Sequence, residues 1–315
     1  MSKYPEIDLK SVRRYSIKER YSKVHSENLG KPYQTGESFS KWFDSLPRIL
    51  VASDLHEFVE RIVTARQNKK PVIFMMGAHV IKVGLSPFVI DLMQQGIFTC
   101  ISMNGAGIVH DTELSMFGQT SEEVADGLAG GTFGMAQETG EFINSGTKEG
   151  QKAELGLGEA IGKKILKTAH PAIENSVLAN AYQLNIPATI HVALGTDIIH
   201  QHPDADGEAI GATSFRDFRI FTAQVAKLNK GGVAINFGSN VIMPEVFLKA
   251  LTIARNVHGD VADFYTANFD MFQHYRPRVN VVQRPTLTGG KGYNFIGHHE
   301  IMLPLLAAAV KERLA

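Results

Sequence analysis

One cysteine, Cys100, stands alone in 315 residues, so no internal disulfide can form and an oxidising compartment has nothing here to work on. Neither sign of charge prevails, because Lys+Arg and Asp+Glu each number 32. No long-range positive field therefore draws in nucleic acid or an acidic membrane face. The longest apolar runs, such as 72–76 and 301–310, fall far short of the roughly 20 residues that cross a bilayer. The first residues do not read as a secretory leader, and a cytoplasmic location is expected. What is present is 44% apolar content with 29 Gly and 12 Pro, the makeup of an ordinary globular protein of enzyme size. Secreted, membrane, collagenous and disordered classes are set aside.

Residues 1–45 lack a sustained hydrophobic period. They mix Ser, Gly and Tyr with a basic run of Arg13, Arg14, Lys18 and Arg20. We read them as an N-terminal arm that packs on the body or on a neighbouring subunit, the alternative being a partly disordered tail. Residues 46–315 are expected to form one α/β unit. Within it, Asp54 is placed to cap a helix that carries Leu55, Phe58, Val59, Ile62 and Val63 on one face. The run 72–76 is apolar on both faces, which suits a parallel strand covered by helices on either side. Ser86-Pro87 opens the next helix, Gly96 stops it, and 97–103 is expected as a strand. The unit then repeats: strands at 188–194, 233–237 and 261–267, and helices over 172–184, 214–229, 244–257 and from 300 to the end. The Gly-rich stretch 127–158 is expected to be loop with short helical pieces. Strands alternating with helices imply βαβ units and a doubly wound, mainly parallel sheet.

Ligands of such sheets bind beyond the carboxyl ends of the strands. Small and amide residues gather at those ends: Gly77-Ala78-His79, then Asn104-Gly105-Ala106-Gly107 with His110-Asp111, then Gly195-Thr196-Asp197, then Gly238-Ser239-Asn240, then Asn268-Phe269-Asp270. The turn 104–107 precedes a helix, so its amides could seat a phosphate, although a plain tight turn is the simpler explanation. Asp197-x-x-His200-x-His202, with Asp204 and Asp206 behind it, has the donor types for zinc or a related ion. The competing readings are a polar loop with local hydrogen bonds, or an acidic cluster that holds a cationic amine. Thr288-Gly289-Gly290-Lys291-Gly292-Tyr293 lacks Walker spacing. It reads either as a lid presenting Lys291 or as a surface turn. His110, His298 and His299 are candidate acid–base groups, since imidazole titrates near neutral pH.

The series Asn104-Gly105-Ala106-Gly107 with His110-Asp111, Ala193-Leu194-Gly195-Thr196-Asp197, the run 231–238, the run 262–268, and the tail from Arg276-Pro277 to Leu303-Pro304-Leu305-Leu306 resembles the deoxyhypusine synthase family. The resemblance covers most of the chain from Gly77 onward and rests on short motifs. It implies a Rossmann-like fold assembled as a homotetramer, with NAD as cofactor and a polyamine-like substrate. It also implies cofactor contacts from Asn104, Gly105, Ala106, Gly107, Asp197, Gly238, Ser239 and Asn268. Along the tail, Pro285 stands where the family carries its imine-forming lysine, and proline cannot form an imine. Lys291 is the nearest amine. Three readings result. The first is an NAD-dependent, deoxyhypusine synthase-like enzyme that transfers an aminoalkyl group or oxidises an amine, with His110, Lys291 and His298 in catalytic roles. The second is a metal-dependent hydrolase built on Asp197, His200 and His202. The third is a non-catalytic binding protein on the same fold. Neither nucleic acid nor membrane is expected as a partner.

Overall fold

A computed structural model describes residues 2–315. Two helices, α1 (Phe39–Asp44) and α2 (Leu50–Gln67), precede the first strand, β1 (Val72–Met76). Then come α3 (His79–Lys82), α4 (Ser86–Gln94), β2 (Cys100–Asn104), α5 (Ala106–Phe117) and α6 (Val124–Gly130). An inserted helical region follows: α7 (Gln137–Lys152), α8 (Leu157–Lys167) and α9 (Val177–Gln183). The second half of the sheet is β3 (Ala188–His191), α10 (Gly207–Val225), β4 (Val233–Phe237), α11 (Ile242–His258) and β5 (Phe264–Asp270). It closes with α12 (Tyr275–Pro277, continued by a π-helical turn), β6 (Gly290–Ile296) and α13 (His299–Leu314).

All six strands run parallel in the order β3-β2-β1-β4-β5-β6. This is the doubly wound arrangement, with its switch point between β1 and β4. Both faces are covered, as the uniformly apolar strands require. On one face α10 and α11 bury Phe221, Val225, Phe247 and Leu251 against Ile73 and Ala234. On the other, α2, α4 and α13 bury Phe58, Val89 and Leu306 against Phe74 and Phe237. The expected apolar face of α2 is buried throughout, from Leu55 to Val63.

One register explains much of the cohesion at the carboxyl end. Phe237, Phe269 and Phe295 lie side by side on β4, β5 and β6, with ring centroids 4.6 Å apart at each step. The residues just before them, Asn236, Asn268 and Asn294, form the matching row on the opposite face. Asn236 Nδ2 donates to Asn268 Oδ1 at 2.8 Å, and Asn268 Nδ2 donates to Asn294 Oδ1 at 3.1 Å. Three Asn-Phe dipeptides thus place an aromatic ladder on one face and an amide ladder on the other, because successive side chains alternate across a strand.

Several boundaries differ from expectation for identifiable reasons. Residues 97–99 are not strand, because the amides of Ile97 and Phe98 both donate to Leu92 O and close the end of α4. Residues 192–194 leave β3 because the Val192 amide donates to Ser214 Oγ instead of to a neighbouring strand. Residues 261–263 are excluded from β5 because Asp263 adopts a left-handed φ of 52°. The helix expected over 172–184 is a 3-10 turn followed by α9. Asp54 does not cap α2 but lies inside it. The Gly-rich stretch is not loop: α7 and α8 run through it, and their glycines mark close approaches. A Cβ on Gly158 or Gly162 would strike the carbonyls of Ala188 or Leu178, and one on Gly150 would meet Ala160 Cβ at 2.6 Å. Finally, 288–293 is neither lid nor surface turn, since Gly290 begins the edge strand β6.

The N-terminal region divides in two. Residues 39–44 pack on the body, where Phe43 is buried and Asp44 pairs with Arg313 of α13. Residues 2–37 run over the outside through three single 3-10 turns, with no buried residue.

Candidate functional site

A cleft of about 670 Å³ opens beyond the carboxyl ends of β2 and β3. Its walls are α5, the turn from Gln119 to Val124, the start of α7, and the loop Thr196–Ile198. The walls carry Glu113, Glu122, Glu138 and Asp197 as acids, His110 as imidazole, and Lys82 as the lining cation. The cleft is therefore net negative. It brings together His110 and Asp197, which the sequence places about 87 residues apart, because β2 and β3 pair in register and end side by side.

Asp197 occupies the place at which the sequence suggested a phosphate. Its carboxylate lies at the N-terminus of α5, against Gly105 and near the Ala106 amide; a Cβ on Gly105 would fall on that carboxylate. Gly105 has ordinary helical φ of −57°, so glycine is required here for space and not for backbone freedom. Burial pushes the Asp197 carboxyl up to about 6, opposed by the Ala106 amide. Its Oδ2 is buried with no hydrogen-bond partner. The expected phosphate seat formed by Asn104, Gly105, Ala106 and Gly107 is thus filled from within by a carboxylate. Gly107 itself is held close to Met103.

His110 and Glu113 lie one turn apart on α5 and face the same side. His110 Nδ1 is 2.7 Å from Thr120 Oγ1, Thr120 Oγ1 donates to Glu113, and Thr139 Oγ1 donates to the other Glu113 oxygen at 3.0 Å. Burial and the nearby Lys82 bring the His110 imidazole down to about 4, so it is uncharged at neutral pH.

The remaining candidates separate from this cleft. Lys291 sits near the start of β6, paired with Tyr265 near the start of β5, at the opposite end of the sheet. The five residues from Lys291 to Ile296 put it about 16 Å from the carboxyl edge at ~3.3 Å per residue. Its Nζ bonds Asp54 Oδ1 at 2.8 Å and Glu57 Oε2 at 2.7 Å, fastening β6 to α2. Pro285 precedes the same end of β6, where its carbonyl accepts from Arg255. His298 is at the carboxyl end but exposed, 3.8 Å from Glu300. The sequence pointed equally to its neighbour His299, which is the buried one; both its ring nitrogens lack partners. His299 stands edge-on to His79 and against Gly238, at the switch point. Gly238 and Ser239 spend their groups internally: the Gly238 amide donates to Phe269 O, and Ser239 Oγ accepts from Met243 N. Asn268 belongs to the amide ladder inside the sheet and not to a ligand surface.

The alternative metal set does not assemble. His200 Nδ1 accepts from the amides of Gly195 and Asp197, and His202 Nε2 bonds the Gly134 carbonyl at 2.8 Å. Among the described residues no three His, Cys, Asp or Glu converge as a metal site. Asp204 accepts from Asn144, and Asp206 caps α10. The acids that join Asp197 in the cleft are instead Glu113, Glu122 and Glu138. A run of acids from Glu113 to Glu141 without a single Lys or Arg was the signal that could have found them.

No family model and no curated protein matches the sequence. Solved structures do match it in fold. The apo arginine dihydrolase ArgZ, of the cyanobacterial ornithine-ammonia cycle, aligns over 84% of this chain and 33% of its own, at 15% identity and a TM-score of 0.53. AgrE in ternary complex with ornithine and NAD+ aligns over 83% of this chain and 33% of its own, at 12% identity and a TM-score of 0.54. A putative deoxyhypusine synthase from Entamoeba histolytica aligns over 89% of this chain and 95% of its own, at 12% identity and a TM-score of 0.51. This chain therefore spans about a third of the first two proteins, and identities this low establish a shared α/β Rossmann-like fold.

Proposed function

We propose that this protein is an NAD-dependent enzyme that acts on an amine. The observation that carries the reading is the acidic cleft at the carboxyl ends of β2 and β3, lined by Glu113, Glu122, Glu138 and Asp197 together with uncharged His110. Carboxylates around a cleft favour an ammonium group over neutral or anionic ligands. Two fold neighbours point the same way, since one is named an arginine dihydrolase and another is described with ornithine and NAD+.

For the cofactor, the structure offers buried acceptors without partners among the described residues at two strand ends: Asn104 Oδ1 at the end of β2 and Asn240 Oδ1 after β4. Hydroxyl-bearing riboses of NAD fit such acceptors. Its phosphates must be held elsewhere than at α5, whose N-terminus is taken by Asp197. Bound there, the nicotinamide would supply two-electron oxidation of a carbon bearing nitrogen. The chain's own part is to seat the ammonium among Glu113, Glu138 and Asp197, and to take its proton at the Asp197 carboxylate. A carboxylate with a pKa of about 6 is mostly ionised at pH 7 yet basic enough to accept a proton.

Oxidation, or direct transfer to a second small molecule, fits this chain better than transfer through a lysine imine. Pro285 and Lys291 both lie at the far end of the sheet, and the two carboxylates around Lys291 raise its pKa against the opposing effect of burial. A productive imine lysine needs the reverse. Calorimetric titration with NAD, then with spermidine and ornithine in its presence, followed by nicotinamide absorbance, tests the proposal. Binding of an amine with slow or rapid nicotinamide reduction is expected; absence of both NAD and amine binding ends it.

A further inference from the structure

We propose that Thr120 and Glu113 lock His110 as its Nδ1–H tautomer, so that Nε2 is a fixed acceptor for an N–H group of a ligand in the cleft. The ligand half of this inference rests on the amine reading above; the tautomer half does not. A threonine hydroxyl has one hydrogen to give and lone pairs with which to accept. Thr120 gives its hydrogen to the Glu113 carboxylate. The contact of 2.7 Å between Thr120 Oγ1 and His110 Nδ1 can then be a hydrogen bond only if the imidazole donates. With the single ring hydrogen of the neutral form on Nδ1, Nε2 carries a lone pair. His110 lines the cleft, and among the described residues its ring is bonded through Nδ1 alone.

Three separate segments build the lock. His110 and Glu113 come from one face of α5. Thr120 returns to that face because Gly118, at a left-handed φ of 70°, ends the helix and reverses the chain. Thr139, in the first turn of α7, donates to Glu113 Oε1 and holds the carboxylate in place. A ligand ammonium needs an uncharged acceptor, since an imidazolium would offer only donors and a like charge. Burial and the neighbouring Lys82 keep the ring neutral. Thr120 and Glu113 are positioning residues acting through His110. In Thr120→Val the ring is released to place its hydrogen on Nε2, which turns an acceptor facing the ammonium into a donor.

The test is nitrogen NMR of protein labelled at histidine, without ligand, followed by calorimetric titration with spermidine. In the wild type the His110 signals should show a protonated Nδ1 and a bare Nε2. Thr120→Val should move the hydrogen to Nε2, and Thr120→Ser should restore the original pattern. Spermidine binding should fall about tenfold or more in Thr120→Val and recover in Thr120→Ser. A wild-type spectrum with the hydrogen on Nε2 overturns the lock, and this outcome depends on no variant folding. A correct wild-type tautomer with spermidine affinity unchanged in Thr120→Val overturns the acceptor role. A correct tautomer with no amine bound by the wild type refutes the amine reading and leaves the lock standing.

Discussion

Gly105 and Asp197 form a pair in which one residue is small so that the other can be buried. The backbone at Gly105 suits any residue, so the penalty for a side chain comes entirely from the displaced carboxylate. Gly105→Ala should therefore destabilise the protein by about 1–3 kcal/mol, the usual cost of overpacking. Most of that cost should disappear in an Asp197→Ala background, and a double-mutant cycle by denaturant unfolding measures the coupling. A second buried carboxyl makes a prediction about pH. Asp217 accepts from the amides of Gly158 and Ile190 and so ties α8 to β3. Complete burial nonetheless outweighs those bonds and pushes it up to about 8. A carboxyl whose pKa is raised on folding adds stability below its unfolded value, and that contribution is lost as pH climbs towards the folded value. Relative to the wild type, Asp217→Asn should therefore show a flatter fall in stability between pH 4 and 8, as read by unfolding midpoints across that window.

Among the elements, glycines in helices separate into two kinds. Gly162 of α8 has the Leu178 carbonyl of α9 where a Cβ would stand, whereas Gly211 of α10 faces open space. Helix propensity favours alanine at both positions by up to about 1 kcal/mol. Packing should reverse the sign at the first. Gly162→Ala is expected to destabilise by about 1–3 kcal/mol, and Gly211→Ala to stabilise by ~0.4–1 kcal/mol. Thermal unfolding of the two variants side by side provides the check, and equal effects would mean that propensity alone governs. The same contrast explains why the stretch 127–158 misleads as sequence: glycine marks turns and close helix contacts alike, and only the neighbouring element tells which. Lys291 is a parallel case. Glycines around it suggested a mobile loop, yet Gly290 and Gly292 lie in β6 where the backbones of Phe264 and Val282 leave no room for a Cβ.

For the whole molecule, the outer segment poses a question of assembly. Tyr4, Ile7, Leu9, Val12, Tyr15 and Ile17 are all more than half exposed, an unusual amount of apolar surface for a segment with no core of its own. We propose that the chain is a homo-oligomer in which this arm covers part of a second copy, while residues 46–315 fold as one unit. Removing residues 1–37 should lower the mass measured by light scattering and leave the helix and strand content of the body intact. A full-length protein that is monomeric at micromolar concentration would contradict the proposal.

Periodicity and punctuation were enough to specify five parallel strands and most of the helices that cover them, because these follow from local alternation and from the residues that end it. The sixth strand was also written in the chain, as the third Asn-Phe dipeptide at 294–295, but its meaning depends on register with Asn236-Phe237 and Asn268-Phe269. His110 and Asp197 were legible as polar residues after strands. That they share one cleft, while Lys291 lies at the other edge, follows from strand pairing and direction, which composition does not encode. Whether a buried acid or imidazole is charged was likewise decided by packing: Asp197 is raised by burial against Gly105, and His110 is kept neutral by burial beside Lys82. Side-chain types are local properties of a sequence, but desolvation and distance are properties of the surroundings, and only the folded chain supplies those.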